Sequence, residues 1–271
     1  MSLRINTNVA ALNAYNNLST NQSKLENAFG QLSSGLRINK AADDAAGLSI
    51  SQGLTSQING LTQAVSNAQD GINVAQIADG ALGTAQQILQ RMRTLAVQAS
   101  NSGSNDSAAL TAAQSEVTQL NAQLDNISSQ TAFGGTKLLD GTYTAKVFQV
   151  GANSGDTISL SLTKSDSTTL GVNGVDLTTG ASAAIGTIDA AIATVSASRS
   201  DIGATQNQLN YTVSNLNTAI QNVTASRSNI TDADLATQVT AMTQSQILTQ
   251  AATSILAQAN SAPQAILKLL Q

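Results

Sequence analysis

IGTIDAAIATVSASRSDIGATQNQLNYTVSNLNTAIQNVTASRSNI, residues 185–230, repeats an alternating three-and-four spacing without a slip. Its seam runs Ile185, Ile188, Ile192, Val195, Arg199, Ile202, Gln206, Leu209, Val213, Leu216, Ile220, Val223, Arg227 and Ile230. That period puts one narrow apolar stripe on a helix about 70 Å long at about 1.5 Å per residue. Polar residues cover every other face, so the helix requires partner helices along its length. The fold class read from it is mainly α, a long α-helical coiled-coil or bundle rod with a small β-hairpin region, built to assemble. Arg199, Gln206 and Arg227 interrupt the stripe and are candidate positions where polar contacts fix register.

Composition narrows the chemistry. The chain of 271 residues has no His, no Cys and no Trp, three Phe, three Tyr and one Pro. Without imidazole or thiolate there is no Ser-His-Asp triad, no thiol nucleophile and no conventional zinc site. No catalytic residue, cofactor or metal is expected, and the reading is not that of an enzyme. Charged residues make up 10% and the net charge is −4, a surface unsuited to nucleic acid or acidic membranes, which need clustered Lys and Arg. The first residues lack an apolar run of signal-peptide length, and no stretch reads as membrane-spanning. If the protein leaves the cell, another route carries it.

Working outward, the same spacing recurs at Ala11, Tyr15, Leu18, Gln22, Leu25, Phe29, Leu32 and Leu36, which predicts a first long helix. Periodicity lapses through LRINKAADDAAG, where Asn39, Asp43 and Asp44 suit turns or a helix start. It resumes at Leu54, Ile58, Leu61 and Val65 and continues through Leu82, Leu89, Met92 and Ala96. Residues 100–107 read as a loop, and a third helix follows through Leu110, Val117, Leu120, Leu124 and Ile127. Helices near 54–99 and 108–128 are the expected partners of the 185–230 stripe. From 140 to 162, TYTAKVFQV and TISLSL alternate with period two around GANSGD, a hairpin signature. Ser, Thr, Gly and Asp dominate 164–181, which reads as an exposed turn region. A last seam carries Leu235, Val239, Met242, Leu248, Ala252, Ile255, Ala259, Ile266 and Leu269.

The two terminal segments are not expected to fold alone. Each orders roughly 35 residues at about 1–2 kcal/mol of backbone entropy apiece. A seam side chain returns at most about 1.5–3 kcal/mol when fully buried, and a lone helix buries little. They should order against each other and against neighbouring copies.

Several stretches carry a more specific signal. They are INTN (5–8), LSSGLRIN (32–39), DDAAGLSIS (43–51), LQRMRTLAVQA (89–99), SQTAFGGTKLL (129–139), FQVGANSGDTI (148–158), IGATQNQL (202–209), DADLAT (232–237) and QANSAPQAILKLL (258–270). On these motifs the chain resembles bacterial flagellin over nearly its whole length, in the family's order.

The resemblance implies a structural subunit that polymerises into the flagellar filament for motility. It implies export unfolded through the flagellar type III route and addition at the distal tip. Residues 1–40 and 235–271 would pair as an inner coiled coil, with 41–53 and 231–234 as a connecting spoke. Residues 54–163 and 182–230 would form the helical rod domain, and the short 164–181 region would stand where larger members insert outer domains. Implied partners are other flagellin subunits and the cap, hook-junction and export-chaperone proteins, with the secreted filament as location. An animal Toll-like receptor reads members of the family at positions matching Arg91, Leu95 and Glu116, with Gln90 and Val97 alongside. Leu120 departs from the pattern, since receptor-activating members commonly carry Arg there. The expected assembly seam comprises Leu18, Leu25, Phe29, Leu32, Leu209, Val213, Leu216, Ile220, Val223, Leu248, Ile255 and Leu269.

Other patterns weigh toward blander readings. Asp43 and Asp44 have no third carboxylate nearby and read as caps rather than metal ligands. Ser161-Leu162-Thr163-Lys164 matches Ser-x-x-Lys without the companion motifs, and Gly134-Gly135-Thr136-Lys137 lacks the earlier glycine of a phosphate loop. Asn-x-Ser/Thr triplets such as Asn126-Ile127-Ser128 follow from composition. Met92, Met242, Phe133 and Phe148 read as packing. The alternatives are a hook-filament junction protein, which shares the terminal seams, and a secreted helical host-binding effector, which would want a broad apolar or basic face.

Overall fold

The computed structural model describes residues 7–101, 103 and 105–269, with side-chain surroundings through residue 261. Among these residues it is mainly α. The elements are α1 (Val9–Ser34), α2 (Ala45–Ala99), α3 (Ser107–Gln130), β1 (Ala132–Phe133), β2 (Thr136–Lys137), β3 (Lys146–Gln149), β4 (Thr157–Leu160), α4 (Ala181–Thr231) and α5 (Leu235–Leu269). They divide into two compact units, Met1–Ser56 with Asn222–Gln271, and Gln57–Gln221.

In the first unit α1 packs on α5. Asn8 caps α1, its side chain accepting from the Ala11 N–H at 3.1 Å and donating to the Ala259 carbonyl at 2.7 Å. One residue thus satisfies an orphan helix donor and ties the pair. Gly35 ends α1 in the left-handed region at φ 71°, the usual use of glycine at a helix C-terminus. The chain then pairs with the segment before α5: the Arg37 N–H meets the Thr231 carbonyl at 2.6 Å and the Ala233 N–H meets the Gly35 carbonyl at 2.9 Å. Asp43 accepts from the N–H groups of Asn39 and Lys40, and these bonds hold its carboxyl below the usual range. Asp44 accepts from Gly47. A side chain at Gly47 would run into the Asp44 carboxylate and Ile38 Cδ1, so both of those side chains would have to shift to admit one. The stretch expected to be a 41–53 spoke is helical from Ala45 onward, because Asp44 supplies the cap.

The 185–230 stripe forms as α4, whose residues up to Gln221 belong to the second unit. Ile188, Val195, Ile202 and Leu209 are buried, and the first three share a core with Leu82, Leu89 and Met92 of α2 and Val117 and Leu124 of α3. A smaller cluster joins Leu209, Ala68, Val150 and Ile158. Strands β3 and β4 pair antiparallel with Phe148 opposite Ile158. Burial alternates along β4, with Ile158 and Leu160 inward.

One element is added to the expected fold and one local reading is corrected. A second hairpin, β1–β2, precedes the expected one and turns on Gly134 and Gly135, both at positive φ (54° and 84°), as a two-residue connection demands. Residues 164–181 form turns that are only partly exposed: Leu170, Val172, Val175 and Leu177 are buried and complete the core with α3, Ser165 and Ser167 are buried beside them, and Thr168, Thr169, Asn173 and Gly174 face outward. Also unanticipated, α4 contains an 18-residue window of mean hydropathy 1.3. Its stripe residues are accounted for by the packing just described.

Candidate assembly surface and ion-paired faces

The α1–α5 pair buries small residues and leaves large ones outside. Among the described residues its buried side chains are Ala14, Ala28, Ser245 and Ala252. Leu18, Leu25 and Leu32 are half-buried along the same line. Tyr15 (60% exposed), Phe29 (49%), Leu248 (42%) and Ile255 (59%), all read from the sequence as one seam with these, point away from it. Val239, Ile247 and Leu248 instead line an open groove on α5 with Thr240, Thr243 and Gln244. Each terminal helix therefore carries two apolar lines, and the sequence reading merged them. Alanine and serine at these positions let the helices approach closely, and Leu18, Leu25 and Leu32 flank them partly covered. On α4, Leu209 and Leu216 are buried while Val213, Ile220 and Val223 are half-buried. Leu269 belongs to α5, but its side chain lies outside the described residues.

Of the register candidates, Arg199 forms a fork. Its Nε and NH2 donate to Asp79 at 2.7 and 3.3 Å, and its NH1 donates to Gln86 at 2.8 Å. The hydrogen bond to Asp79 raises the guanidinium pKa. Three donors in fixed geometry tie one α4 position to two turns of α2. Gln206 and Arg227 are half-buried, and neither side chain makes a hydrogen bond among the described residues, so they do not serve that purpose within the chain.

Arg91 and Glu116 meet each other. Arg91 Nε and NH2 donate to the two Glu116 oxygens at 2.7 and 3.1 Å, joining α2 to α3. The bond from Arg91 lowers the Glu116 pKa, and the same bond raises that of Arg91. Gln90 and Val97 are exposed beside the pair. Leu95 is 3% exposed and belongs to the core, which corrects its reading as a surface contact: helical spacing puts it on the same face of α2 as the buried Ile88 and Met92. Leu120 is half-buried against the same core. A second fork, unanticipated from sequence, links Arg93 to Asp189 at 2.6 and 3.4 Å.

Sequence reasoning also missed a row of polar residues on α3. Gln114 donates to the Val175 carbonyl at 3.0 Å and accepts from the Leu177 N–H at 2.7 Å. Asn121 donates to the Val172 carbonyl at 3.0 Å, while its Oδ1 is buried without a partner. Asp125 accepts from both the N–H and hydroxyl of Ser167. These clasps hold the 165–177 turns onto the helix. Their spacing of seven and four residues was the available signal.

The chain matches two family models: the bacterial flagellin N-terminal helical region over residues 5–144, and the bacterial flagellin C-terminal helical region over residues 185–270. It is 46% identical to a flagellin of Halalkalibacterium halodurans over 98% of this chain and 99% of that one. It is 42% identical to a flagellin of Bacillus subtilis over 99% and 100%. Flagellin B of Vibrio cholerae is 48% identical over 64% of this chain but only 46% of its own length. The crystal structure of Bacillus cereus flagellin aligns with a TM-score of 0.50 at 31% identity, covering 56% of this chain and 88% of that chain.

Proposed function

The chain belongs to the bacterial flagellin family and is a structural subunit of the flagellar filament, and on that premise we propose that neighbouring copies cover the exposed apolar faces of α1 and α5 in the polymer. The observation carrying this reading is the division of labour on the terminal pair. Alanine and serine are spent on the contact within the chain, while Leu12, Tyr15, Phe29, Val239, Ile247, Leu248 and Ile255 face outward. Fully burying each such side chain returns about 1.5–3 kcal/mol, against about 1–2 kcal/mol per ordered backbone residue. Covering the outward side chains in the polymer therefore offsets part of the cost of ordering these helices. A second copy is the occupant because the family is one of filament subunits and the apolar lines run along both terminal helices.

In this reading the subunit travels unfolded through the flagellar type III route and adds at the distal tip. The cap, hook-junction and export-chaperone proteins are its transient partners, and the extracellular filament is its destination. The absence of cysteine suits transit as an extended chain. The short 164–181 segment, clasped on α3, gives a filament without outer domains. Gln90, Arg91, Val97 and Glu116 form the exposed patch that an animal Toll-like receptor would meet, with Leu95 supporting it from beneath. The full-length likeness to flagellins leaves the junction-protein and effector readings without an observation of their own.

The test is reassembly. Protein dissociated by heat and cooled with short filament seeds should grow long filaments in negative-stain micrographs. A chain that stays monomeric in the presence of competent seeds would overturn the proposal.

A further inference from the structure

The dipeptide Asn-Gly occurs twice, at Asn59-Gly60 and Asn173-Gly174, and the fold treats the two copies differently. Asn59-Gly60 lies inside α2, where the Gly60 N–H is committed to the helix ladder and the backbone is fixed. Asn173-Gly174 lies in the turns that α3 clasps. Both residues are exposed, while Val172 and Val175 on either side are buried. The Asn173 N–H donates to the Ser167 carbonyl at 3.2 Å. Neither the Asn173 carboxamide nor the Gly174 N–H has a hydrogen-bond partner among the described residues. The space where a Gly174 side chain would stand is open to 4 Å.

We propose that Asn173 is a self-modification site at which the chain converts an amide to a carboxylate without an enzyme. The Gly174 nitrogen attacks the Asn173 side-chain carbonyl carbon. An N–C bond forms, the C–NH2 bond breaks, and the proton lost by the Gly174 nitrogen leaves with the NH2 as ammonia. A five-membered imide closes. Water then opens the ring: cleavage at the former side-chain carbonyl gives aspartate, and cleavage at the main-chain carbonyl gives isoaspartate. Nothing is oxidised or reduced, and water is the one co-reactant. Glycine favours the attack because no side chain shields its nitrogen and its backbone torsions are free to bring it to the carbonyl.

The consequence follows from the clasps on either side. The Val172 carbonyl is held by Asn121, and the Val175 carbonyl and Leu177 N–H are held by Gln114. Isoaspartate routes the main chain through its own β-carbon and adds one atom between these anchors, which α3 holds at fixed spacing. One anchor must release. Aspartate at the same place keeps the spacing and adds a negative charge near Asp176. The 165–178 turns therefore loosen in aged chains that carry isoaspartate.

The full-length purified chain, incubated in mildly alkaline buffer and mapped by mass spectrometry with fragmentation that separates the two isomers, tests this directly. Amide loss should accumulate at Asn173 and not at Asn59 in the folded chain, and at both in the denatured chain. Gly174→Ala, which meets open space, should keep the fold and suppress loss at Asn173, and Asn173→Gln should do the same. Hydrogen exchange over 165–178 should rise in the isoaspartate fraction. Equal loss at Asn59 and Asn173 in folded protein, or unchanged loss in Gly174→Ala, would overturn the site. Unchanged exchange in the isoaspartate fraction would overturn its effect on the clasps.

Discussion

Leu209→Ala is expected to destabilise the second unit by about 3–5 kcal/mol, in the upper part of the range for leucine truncation. Leu209 is fully buried among Ala68, Val150 and Ile158. Across from it α2 presents Gly71, which has no side chain to relax into the vacated space. The same geometry supplies a compensating change. A methyl added at Gly71 would stand 3.2 Å from Leu209 Cδ1 and 3.3 Å from the Phe148 ring, so Gly71→Ala alone crowds the site. Once Leu209 is shortened, one obstruction is gone and the methyl fills part of the cavity. Alanine also gains about 1 kcal/mol over glycine in a helix interior. The double variant should therefore recover about 1–2 kcal/mol of the loss. Urea unfolding of the four proteins of this cycle, followed by far-ultraviolet circular dichroism, measures both quantities. A Leu209→Ala chain within about 1 kcal/mol of wild type, or a Gly71→Ala effect identical in both backgrounds, would refute this packing.

Gly47→Ala drives a methyl into Asp44 and Ile38, and limited proteolysis should show faster cutting in the 35–50 stretch with the second unit's pattern unchanged. Hydrogen bonds from the Thr178 and Thr179 hydroxyls and the Thr178 N–H hold the Asp176 pKa at about 2, against about 3.9 for an unperturbed aspartate. A depressed carboxylate stabilises the fold above its unfolded pKa and loses that contribution as pH falls through the folded one. Pepsin cleavage within 165–178 should consequently rise between about pH 4 and pH 2, and Asp176→Asn should flatten that rise. Arg199→Lys keeps the charge but loses the fork to Asp79 and Gln86, so its unfolding midpoint in thermal melts should fall nearly as far as that of Arg199→Ala.

How far the sequence reached depends on what each helix faces. The stripe of α4 was legible because its partners in the chain bury one face, and Ile188, Val195 and Ile202 mark that face with large apolar side chains. In α1 and α5 the contact within the chain is marked by Ala14, Ala28, Ser245 and Ala252, which carry little hydrophobic signal. Tyr15, Phe29 and Ile255 on the other face carry more and drew the reading onto themselves. Periodicity reports that a face is apolar, not which neighbour covers it. The 164–181 segment was misread for a related reason. Its Ser, Thr, Gly and Asp signal turns correctly, but burial there rests on Leu170, Val172, Val175 and Leu177 and on three polar clasps from α3 that no local pattern contains. Leu95 was carried over from a family resemblance as a surface position, whereas the turn of α2 puts it inward. The Arg91–Glu116 pairing spans 25 positions and needs the antiparallel arrangement of α2 and α3 to be known first.

In the proposed filament, copies of this chain cover each other's outward apolar lines on the terminal helices. Seeded elongation of Ile255→Asp, followed by light scattering, tests it most directly. Ile255 is 59% exposed in the single chain, so the variant monomer should match wild type in circular dichroism. Its charge would have to be buried unpaired in the polymer, and it should fail to extend wild-type seeds. Elongation at the wild-type rate would show that no neighbouring copy covers Ile255.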